Sequence, residues 1–354
     1  MRVCIRVGDP HDKQSMTEPE GTADTPAKKK RSRIVTVIAW FVAGLLVPAC
    51  GAWVIGRGSY WFDVIASQQM LISWAALVVT IVVLLTRRKA PAMVCAVLVV
   101  VSFYPVLTGR VWSLPSVDLA HKPDDVIRIV SCNINPLNEQ WVEGVYQLLD
   151  LDADVVVLIE LSPEMSRSVR NRGAIDQGLY PYRSFRHWVQ REVSAGVVFS
   201  RWPSTQAMKN ETDNQNTHYR RIEHPLGDFI VGLVHPLSPR TKERWLIGNG
   251  VVQSHRSEID QGDWIGSLPL IVCADLNAGP AQQRAGTLRS TGLRMSKPVL
   301  KMDGSFPAGS SVPAVLRVQL DDVWSRGDLK PIAWSLVPVP GSDHLAVVVD
   351  FEAR

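Results

Sequence analysis

The chain has 354 residues and a formal net charge of +4, and its charged residues are unevenly distributed. Residues 1–33 contain eight Lys or Arg and five Asp or Glu (+3), and residues 34–120 contain five and two (+3), so residues 121–354 carry 4 − 6, a charge of −2. The scarcity of charge between residues 34 and 108 excludes a purely soluble protein. The acidic balance after residue 120 argues against a nucleic-acid-binding protein that relies on a basic face.

Three apolar runs lie in this charge-poor region, at residues 34–55, 64–85 and 91–108. Each is near the ~20 residues that a helix needs to cross ~30 Å of hydrocarbon. A secretory signal peptide is the alternative for the first run, but its 22 residues exceed a typical signal core and no small-residue cleavage pattern follows. We therefore predict three transmembrane helices over residues 34–108, preceded by a disordered cytoplasmic tail at residues 1–33.

Positive charge beside these runs predicts their orientation, because Lys and Arg are retained on the cytoplasmic side. Five basic residues lie at positions 28–33, and three more, Arg87, Arg88 and Lys89, separate the second run from the third. Both clusters should face the cytoplasm, and an odd number of spans puts everything after Thr108 outside. The prediction is a multi-pass protein of the cytoplasmic membrane with an extracytoplasmic domain.

After a linker at residues 109–125, short apolar runs separated by turn residues predict an α/β domain over residues 126–354. Several runs are apolar on both faces, as in central strands that helices cover. The predicted strands are residues 128–131, 154–160, 195–200, 229–234, 270–274, 316–324 and 345–351. Helical spacing predicts one helix over residues 141–149, after a cap at Asn138, and another over residues 241–259.

Polar side chains lie in or beside six of these strands. They are Asn133 and Asn135, Glu160, His235, Asp275 and Asn277, Asp321, and Asp343 with His344. A single carboxylate at a strand end is usually a turn former, but ligands of layered α/β folds bind at strand termini, so the repetition indicates a site. Carboxylate and amide oxygens without Cys suit Mg²⁺ or Mn²⁺ and not zinc. With histidine as base or electrostatic clamp, the set fits hydrolysis of a phosphate ester.

Seven short motifs follow one another in a recognisable order. They are Ser-Cys-Asn-Ile-Asn at 131–135, Asp-Val-Val-Val-Leu-Ile-Glu at 154–160, Ser-Ala-Gly-Val-Val-Phe-Ser at 194–200, Val-His-Pro-Leu-Ser-Pro at 234–239, Ala-Asp-Leu-Asn at 274–277, Gln-Leu-Asp-Asp-Val-Trp at 319–324 and Gly-Ser-Asp-His-Leu-Ala at 341–346. This order resembles the endonuclease/exonuclease/phosphatase superfamily, which has the fold of DNase I and neutral sphingomyelinase. The resemblance implies a four-layer α/β sandwich with a divalent metal at the common edge of two sheets. Three spans followed directly by such a domain also resemble, in topology alone, a membrane-anchored bacterial type.

The resemblance also implies how the metal and the attacking water are held. Glu160 would be the principal metal ligand, with Asn133 beside it. Asp275 and Asn277 would orient the water and the phosphate.

Two histidines receive roles from the same resemblance. His344 would be the catalytic histidine, held by Asp321, and Asp343 would assist either the metal or this histidine. His235 would be a second histidine that faces the phosphate. Asp322 stands where Tyr or His is more usual in the superfamily, so which of the two neighbouring aspartates holds His344 stays open.

We expect a membrane-anchored, Mg²⁺- or Mn²⁺-dependent phosphoesterase that hydrolyses a phosphate ester or pyrophosphate, lipid-linked or small, outside the cytoplasmic membrane. An anchored extracellular nuclease is the first alternative, and the domain charge of −2 disfavours it. A non-catalytic binding module is the second, and the intact polar set argues against it. The expected partners are a phosphate-containing substrate and the bilayer, with nucleic acid as the less favoured substrate.

Overall fold

A computed structural model of the chain describes residues 26–171, 178–187, 195–207, 218–309 and 311–353. Its helices are α1 (Pro26–Cys50), α2 (Ala52–Ile55), α3 (Tyr60–Ala66), α4 (Gln69–Leu85), α5 (Lys89–Leu107), α6 (Trp141–Leu149), α7 (Pro163–Asn171), α8 (Lys242–Asp260) and α9 (Gln283–Arg289). Its strands are β1 (Val126–Asn133), β2 (Val155–Leu161), β3 (Tyr182–His187), β4 (Ala195–Ser200), β5 (Ser204–Gln206), β6 (His218–Ile222), β7 (Phe229–Val234), β8 (Leu270–Asp275), β9 (Arg294–Met295), β10 (Asp321–Arg326), β11 (Lys330–Val337) and β12 (Ala346–Glu352).

The strands form two six-stranded sheets. The first has the order β11-β12-β1-β2-β4-β3, and the second has the order β5-β6-β7-β8-β10-β9. β1 runs parallel to β2, and β7 runs parallel to β8, whereas β12 and β10 run antiparallel to their partners β1 and β8. The carboxyl ends of β1 and β2 therefore lie beside the amino end of β12, and the carboxyl ends of β7 and β8 lie beside the amino end of β10.

Apolar side chains pack between the two sheets and on the outer face of each. Ile129 and Ile159 of the first sheet share an apolar cluster with Ile271 and Cys273 of the second, and all four are fully buried. α6 and α7 cover the outer face of the first sheet, and α8 and α9 cover that of the second. Each such buried aliphatic side chain contributes about 1.5–3 kcal/mol to folding. The predicted α/β sandwich of two sheets is confirmed.

The sixth of the strand predictions needs correction. The strand predicted over residues 316–324 begins only at Asp321, and a 3₁₀ turn at Ala314–Leu316 precedes it. The hydroxyl of Ser305 accepts hydrogen bonds from the backbone N–H groups of Leu320 and Asp321, which holds the chain in place at the start of β10. β3, β6 and β11 were not predicted, nor were the short strands β5 and β9.

The two helices predicted in the domain are both present. The hydroxyl of Thr241 caps α8 by accepting a hydrogen bond from the backbone N–H of Arg244. The predicted cap at Asn138 is wrong, because Gln140 precedes the first turn of α6. The amide of Asn138 instead donates to the carbonyl oxygens of Ile134 and Pro340, and so joins the segment after β1 to the one before β12.

The apolar region contains two helical segments that are long and apolar enough to cross a membrane, Arg33–Ile55 and Lys89–Leu107. The second apolar run forms α3 and α4 instead of one straight helix, and these two meet at a bend of 71°. As a pair they pass the same test of length and hydropathy. α1 begins at Pro26, ahead of the start predicted for the first span, and residues 1–25 of the predicted tail lie outside the described residues.

Candidate active site

The polar residues singled out in the sequence lie along one edge of the sandwich. Asn133 and Glu160 are at the carboxyl ends of β1 and β2, and Asp275 is at the carboxyl end of β8. Asp321 opens β10 opposite Asp275, and His344 lies two residues before the start of β12. A hydrogen bond of 2.9 Å from Asn133 Nδ2 to Asp275 Oδ2 joins the two sheets at this edge.

Glu160 is turned toward the site by an irregularity at the end of β2. Regular alternation would direct Glu160 to the outer apolar layer together with Leu158. Instead, the pairing with β4 shifts between Leu158 and Leu161, and Leu161 takes the outward position. Bulges of this kind re-aim a side chain. Glu160 has a φ of 61°, a left-handed conformation that costs of the order of 1–3 kcal/mol for residues other than glycine.

Asp275 is fully buried and both of its carboxylate oxygens are bonded. Oδ1 accepts a hydrogen bond of 2.9 Å from the backbone N–H of Asn277, and Oδ2 accepts the one from Asn133. The backbone of Asn277 is left-handed, with a φ of 47°, and that of Asn135 beside Asn133 has a φ of 64°. Asparagine tolerates this conformation better than most residues, which explains its use at both positions.

His235 lies between two carboxylates. Its Nε2 is 2.9 Å from Glu160 Oε1, and its Nδ1 is 3.6 Å from Asp275 Oδ2. Burial lowers the pKa of His235, but the hydrogen bond to Glu160 and the charges of Asp275 and Glu160 outweigh burial and raise it. Burial raises the pKa of Glu160, but the hydrogen bond and the charge of His235 more than offset this effect, so the pKa of Glu160 is lowered. Both groups are therefore stabilised in their charged forms.

His344 forms a buried pair with Asp321. Its Nδ1 is 2.7 Å from Asp321 Oδ2, and its ring centroid is 4.9 Å from that of Phe306. Burial alone would lower the pKa of His344, but the charge and hydrogen bond of Asp321 and the charge of Asp275 raise it to about 10. His344 therefore carries a proton at neutral pH. Burial and the charge of Asp321 raise the pKa of Asp275, although His344 acts in the opposite direction.

The neighbouring Asp322 points away from His344, which answers the question that the sequence left open. Its Oδ1 accepts a hydrogen bond from Trp334 Nε1 at 3.2 Å, and its Oδ2 accepts one from the backbone N–H of Lys297 at 3.0 Å. Adjacent residues of a strand face opposite sides of the sheet. Asp321 is thus the partner of His344, and Asp322 is held by Trp334 and Lys297.

Asp343 is placed differently from the other candidates. Its side chain is exposed, and among the described residues its carboxylate belongs to neither group of potential metal ligands. Its backbone carbonyl accepts a hydrogen bond of 2.7 Å from the N–H of Ala308. The position of Asp343 is thus fixed by its backbone.

Ser342 is a residue of the site that the sequence did not single out. Its hydroxyl donates to the carbonyl oxygen of Asn133 at 2.7 Å and accepts from the backbone N–H of His344 at 3.0 Å. It thereby ties the segment that carries His344 to the end of β1. The signal available was its place in the Gly-Ser-Asp-His motif, but a serine in a turn is too common to be selected on that basis.

Two groups of potential metal ligands share Asp275. One is Glu160, His235 and Asp275, and the other is Asp275, Asp321 and His344; in each group the ligand atoms lie within 4.8 Å of one another. Carboxylate oxygens dominate both groups, and hard divalent cations prefer such ligands. The residues present therefore fit a divalent cation.

A cation site beside a protonated histidine suits a phosphate group, because both charges offset those of the phosphate oxygens. The fold and the site thus define a hydrolase that acts on phosphoester bonds. The family model described as Endonuclease/Exonuclease/phosphatase family matches residues 130–344, which is more than half of the chain. The chain therefore belongs to this family. Its members act on phosphate-containing substrates such as nucleic acids and typically depend on a divalent metal.

Solved structures also resemble the chain. An endonuclease/exonuclease/phosphatase from Beutenbergia cavernae is 16% identical over 65% of this chain and 72% of its own, with a TM-score of 0.47. An endonuclease/exonuclease/phosphatase family protein from Bacteroides thetaiotaomicron is 14% identical over 65% of this chain and 98% of its own, with a TM-score of 0.49. The human Nocturnin catalytic domain with bound sulfate is 17% identical over 66% of this chain and 97% of its own, with a TM-score of 0.46. A search of curated proteins finds no match.

Proposed function

We propose that the protein is a membrane-anchored, divalent-metal-dependent phosphoesterase that hydrolyses a lipid-linked phosphate ester or pyrophosphate outside the cytoplasmic membrane. The observation that carries the chemistry is the position of Asp275, which belongs to both groups of potential ligands. It stands between Glu160 and His235 on one side and the Asp321–His344 pair on the other. A phosphate bound there would meet a cation site and a protonated histidine at once.

The metal in this proposal is Mg²⁺ or Mn²⁺, held by the carboxylate of Glu160 and the amide oxygen of Asn133. A bound cation would offset charge on the phosphate oxygens and make the phosphorus more electrophilic. His235, which bridges Glu160 and Asp275, would face the phosphate from the same side.

The chain's own groups would move the protons. Nδ1 of His344 is engaged by Asp321, so Nε2 is the nitrogen that would donate a proton to the departing oxygen. Asp275 accepts one hydrogen bond on each oxygen, and the remaining lone pairs would orient the attacking water and accept the proton that it loses. Asn277 would contact a phosphate oxygen.

The lipid part of the proposal is supported by how the apolar region contacts the domain. Ala281, a few residues after Asp275, shares an apolar cluster with Ala52, Ala66 and Val106. The hydroxyl of Tyr60 donates to the carbonyl of Pro239 at 3.1 Å. A site held this near a bilayer meets lipid headgroups at high effective concentration, so strong intrinsic affinity is unnecessary. The charge of −2 after residue 120 offers little grip on a nucleic-acid backbone.

The test uses the full chain in detergent micelles with Mg²⁺. We expect phosphate release from a lipid monophosphate or pyrophosphate, loss of this activity in His344→Ala and Asp275→Ala, and little cleavage of plasmid DNA under the same conditions. Efficient plasmid cleavage that weakens steeply with salt, without hydrolysis of any lipid phosphate, would instead establish a nuclease.

A further inference from the structure

A buried carboxylate in the apolar region contacts the catalytic domain directly. Asp63, on α3, is only 1% exposed. Its Oδ2 accepts hydrogen bonds from Trp245 Nε1 at 2.8 Å and Gln282 Nε2 at 3.4 Å, and its Oδ1 accepts one from the backbone N–H of Gln283 at 2.8 Å. A buried charge is costly unless such bonds compensate it.

The partners of Asp63 belong to the segment that follows Asp275. Gln282 Oε1 accepts a hydrogen bond from the backbone N–H of Gly279 at 2.6 Å. Gly279 lies so close to Ser67 that a Cβ on Gly279 would be 3.0 Å from the Ser67 carbonyl oxygen. Together with the apolar contacts of Ala281, these interactions fix the outer side of residues 279–283 against the apolar helices.

The candidate catalytic groups lie a few residues before this segment in the chain. Residues 275–283 begin with Asp275 and Asn277, whose side chain and backbone N–H are bonded to each other. Arg284 Nη1 donates to the carbonyl of Leu276 at 2.8 Å. A displacement of residues 279–283 would therefore be transmitted to Asp275 and Asn277 over a short, hydrogen-bonded stretch of chain.

We infer that Asp63 is a positioning residue for the reaction: its carboxylate fixes residues 279–283 and thereby the orientation of Asp275 and Asn277. This inference rests on the proposed function, because it assigns Asp63 to the same site. The apolar helices are then part of the catalytic apparatus as well as an anchor. Because a misplacement of about 1 Å can reduce a rate by ~100-fold, the contact needs only a small effect on geometry to matter.

The experiment compares Asp63→Asn with Asp154→Asn in the full chain in detergent micelles. Asp154 is a matched control, since it is also fully buried and accepts hydrogen bonds from an indole, Trp202 Nε1, and from a backbone N–H, that of Arg128. It lies just before β2, six residues from Glu160 and at the opposite end of that strand. The readouts are kcat and KM for a lipid monophosphate with Mg²⁺, and amide hydrogen exchange of residues 274–283.

We expect Asp63→Asn to lower kcat by roughly tenfold or more at unchanged KM and to speed exchange in residues 274–283. Asp154→Asn should leave both kcat and the exchange in residues 274–283 unchanged, even where it lowers the melting temperature as much as Asp63→Asn does. Gly279→Ala, which presses on Ser67 from the other side of the contact, should reproduce the loss of kcat, and it serves as the test if Asp63→Asn fails to fold.

Equal kcat in Asp63→Asn, Gly279→Ala and the wild type would overturn the inference. If the wild type hydrolyses no phosphate compound, the proposed function fails by itself. Hydrogen exchange then decides whether Asp63 fixes the segment: faster exchange in residues 274–283 of Asp63→Asn supports the contact, and unchanged exchange rejects it.

Discussion

Glu160 combines an acidic side chain with a left-handed backbone, and the role of its charge can be tested by replacing one carboxylate oxygen with an amide nitrogen. Glu160→Gln keeps the length of the side chain, so the amide can still bond to His235, but it removes the negative charge. We expect Mg²⁺-dependent activity to fall by roughly 100-fold or more, because the cation loses its main charged ligand. The melting temperature without metal should stay nearly unchanged, and the rise that Mg²⁺ causes in the wild type should disappear.

The control for Glu160→Gln is Glu164→Gln, the same chemical change at an exposed position in the first turn of α7. It should affect neither activity nor the response to Mg²⁺. Full activity in Glu160→Gln would mean that the metal site has been assigned to the wrong carboxylate.

Strand β10 places two adjacent aspartates, Asp321 and Asp322, on opposite faces of a sheet. Asp321→Asn should reduce kcat by roughly 10²–10⁴-fold, because His344 loses its charged partner and the amide does not select the same tautomer. Asp322→Asn should leave kcat per folded molecule unchanged. It should lower the free energy of unfolding by about 1–3 kcal/mol, since an amide N–H would face the N–H donors of Lys297 and Trp334.

The measurements for this pair are steady-state kinetics and urea unfolding on both variants. They separate the two roles because one variant should alter the rate and the other the stability. The reverse pattern, with activity lost only in Asp322→Asn, would show that the pairing of Asp321 with His344 is not the functional one.

The central strands could be predicted because both of their faces are buried, so β1, β2, β7, β8 and β12 appear as mostly apolar runs. The charges inside β1 and β12, Arg128 and Asp350, pair with each other. β3 and β11 are edge strands of the first sheet, and β6 lies next to an edge of the second. Their sequences contain charged residues or, in β11, Pro331, because an outer strand is less completely covered. A search for apolar runs therefore misses them.

The candidate site residues were singled out by their motifs, but the sequence left the pairing of His344 open between Asp321 and Asp322. Choosing between Asp321 and Asp322 requires the face on which each lies, and this depends on where β10 begins and how it pairs with β8. Ser305 holds the start of β10 from 16 residues earlier in the chain, and Ser342 ties the segment before β12 to Asn133, 209 residues away. No local pattern reports such contacts.

The predicted orientation of the chain across the membrane can be tested directly. Alkaline phosphatase folds only where its disulfides form, outside the cytoplasm, so a fusion after Arg354 should be active and one near Arg88 inactive. A fluorescent protein that requires the cytoplasm should give the opposite pattern at the same two positions. Active alkaline phosphatase at Arg88 and inactive enzyme after Arg354 would overturn the orientation and the extracytoplasmic site together.

The close approach of Gly279 to Ser67, with Asp63 buried among groups of the domain, has an evolutionary consequence. The apolar helices and the hydrolase domain are not interchangeable modules, because a chimera with helices from another member of the family would bring new side chains against Gly279 and Gln282. Substitutions in residues 60–67 and 279–283 should therefore be correlated in evolution. A substitution in one segment should be tolerated only with a compensating change in the other. Recombination at residue 109, which exchanges the apolar helices without residues 279–283, should therefore yield proteins with a disturbed contact between these two segments.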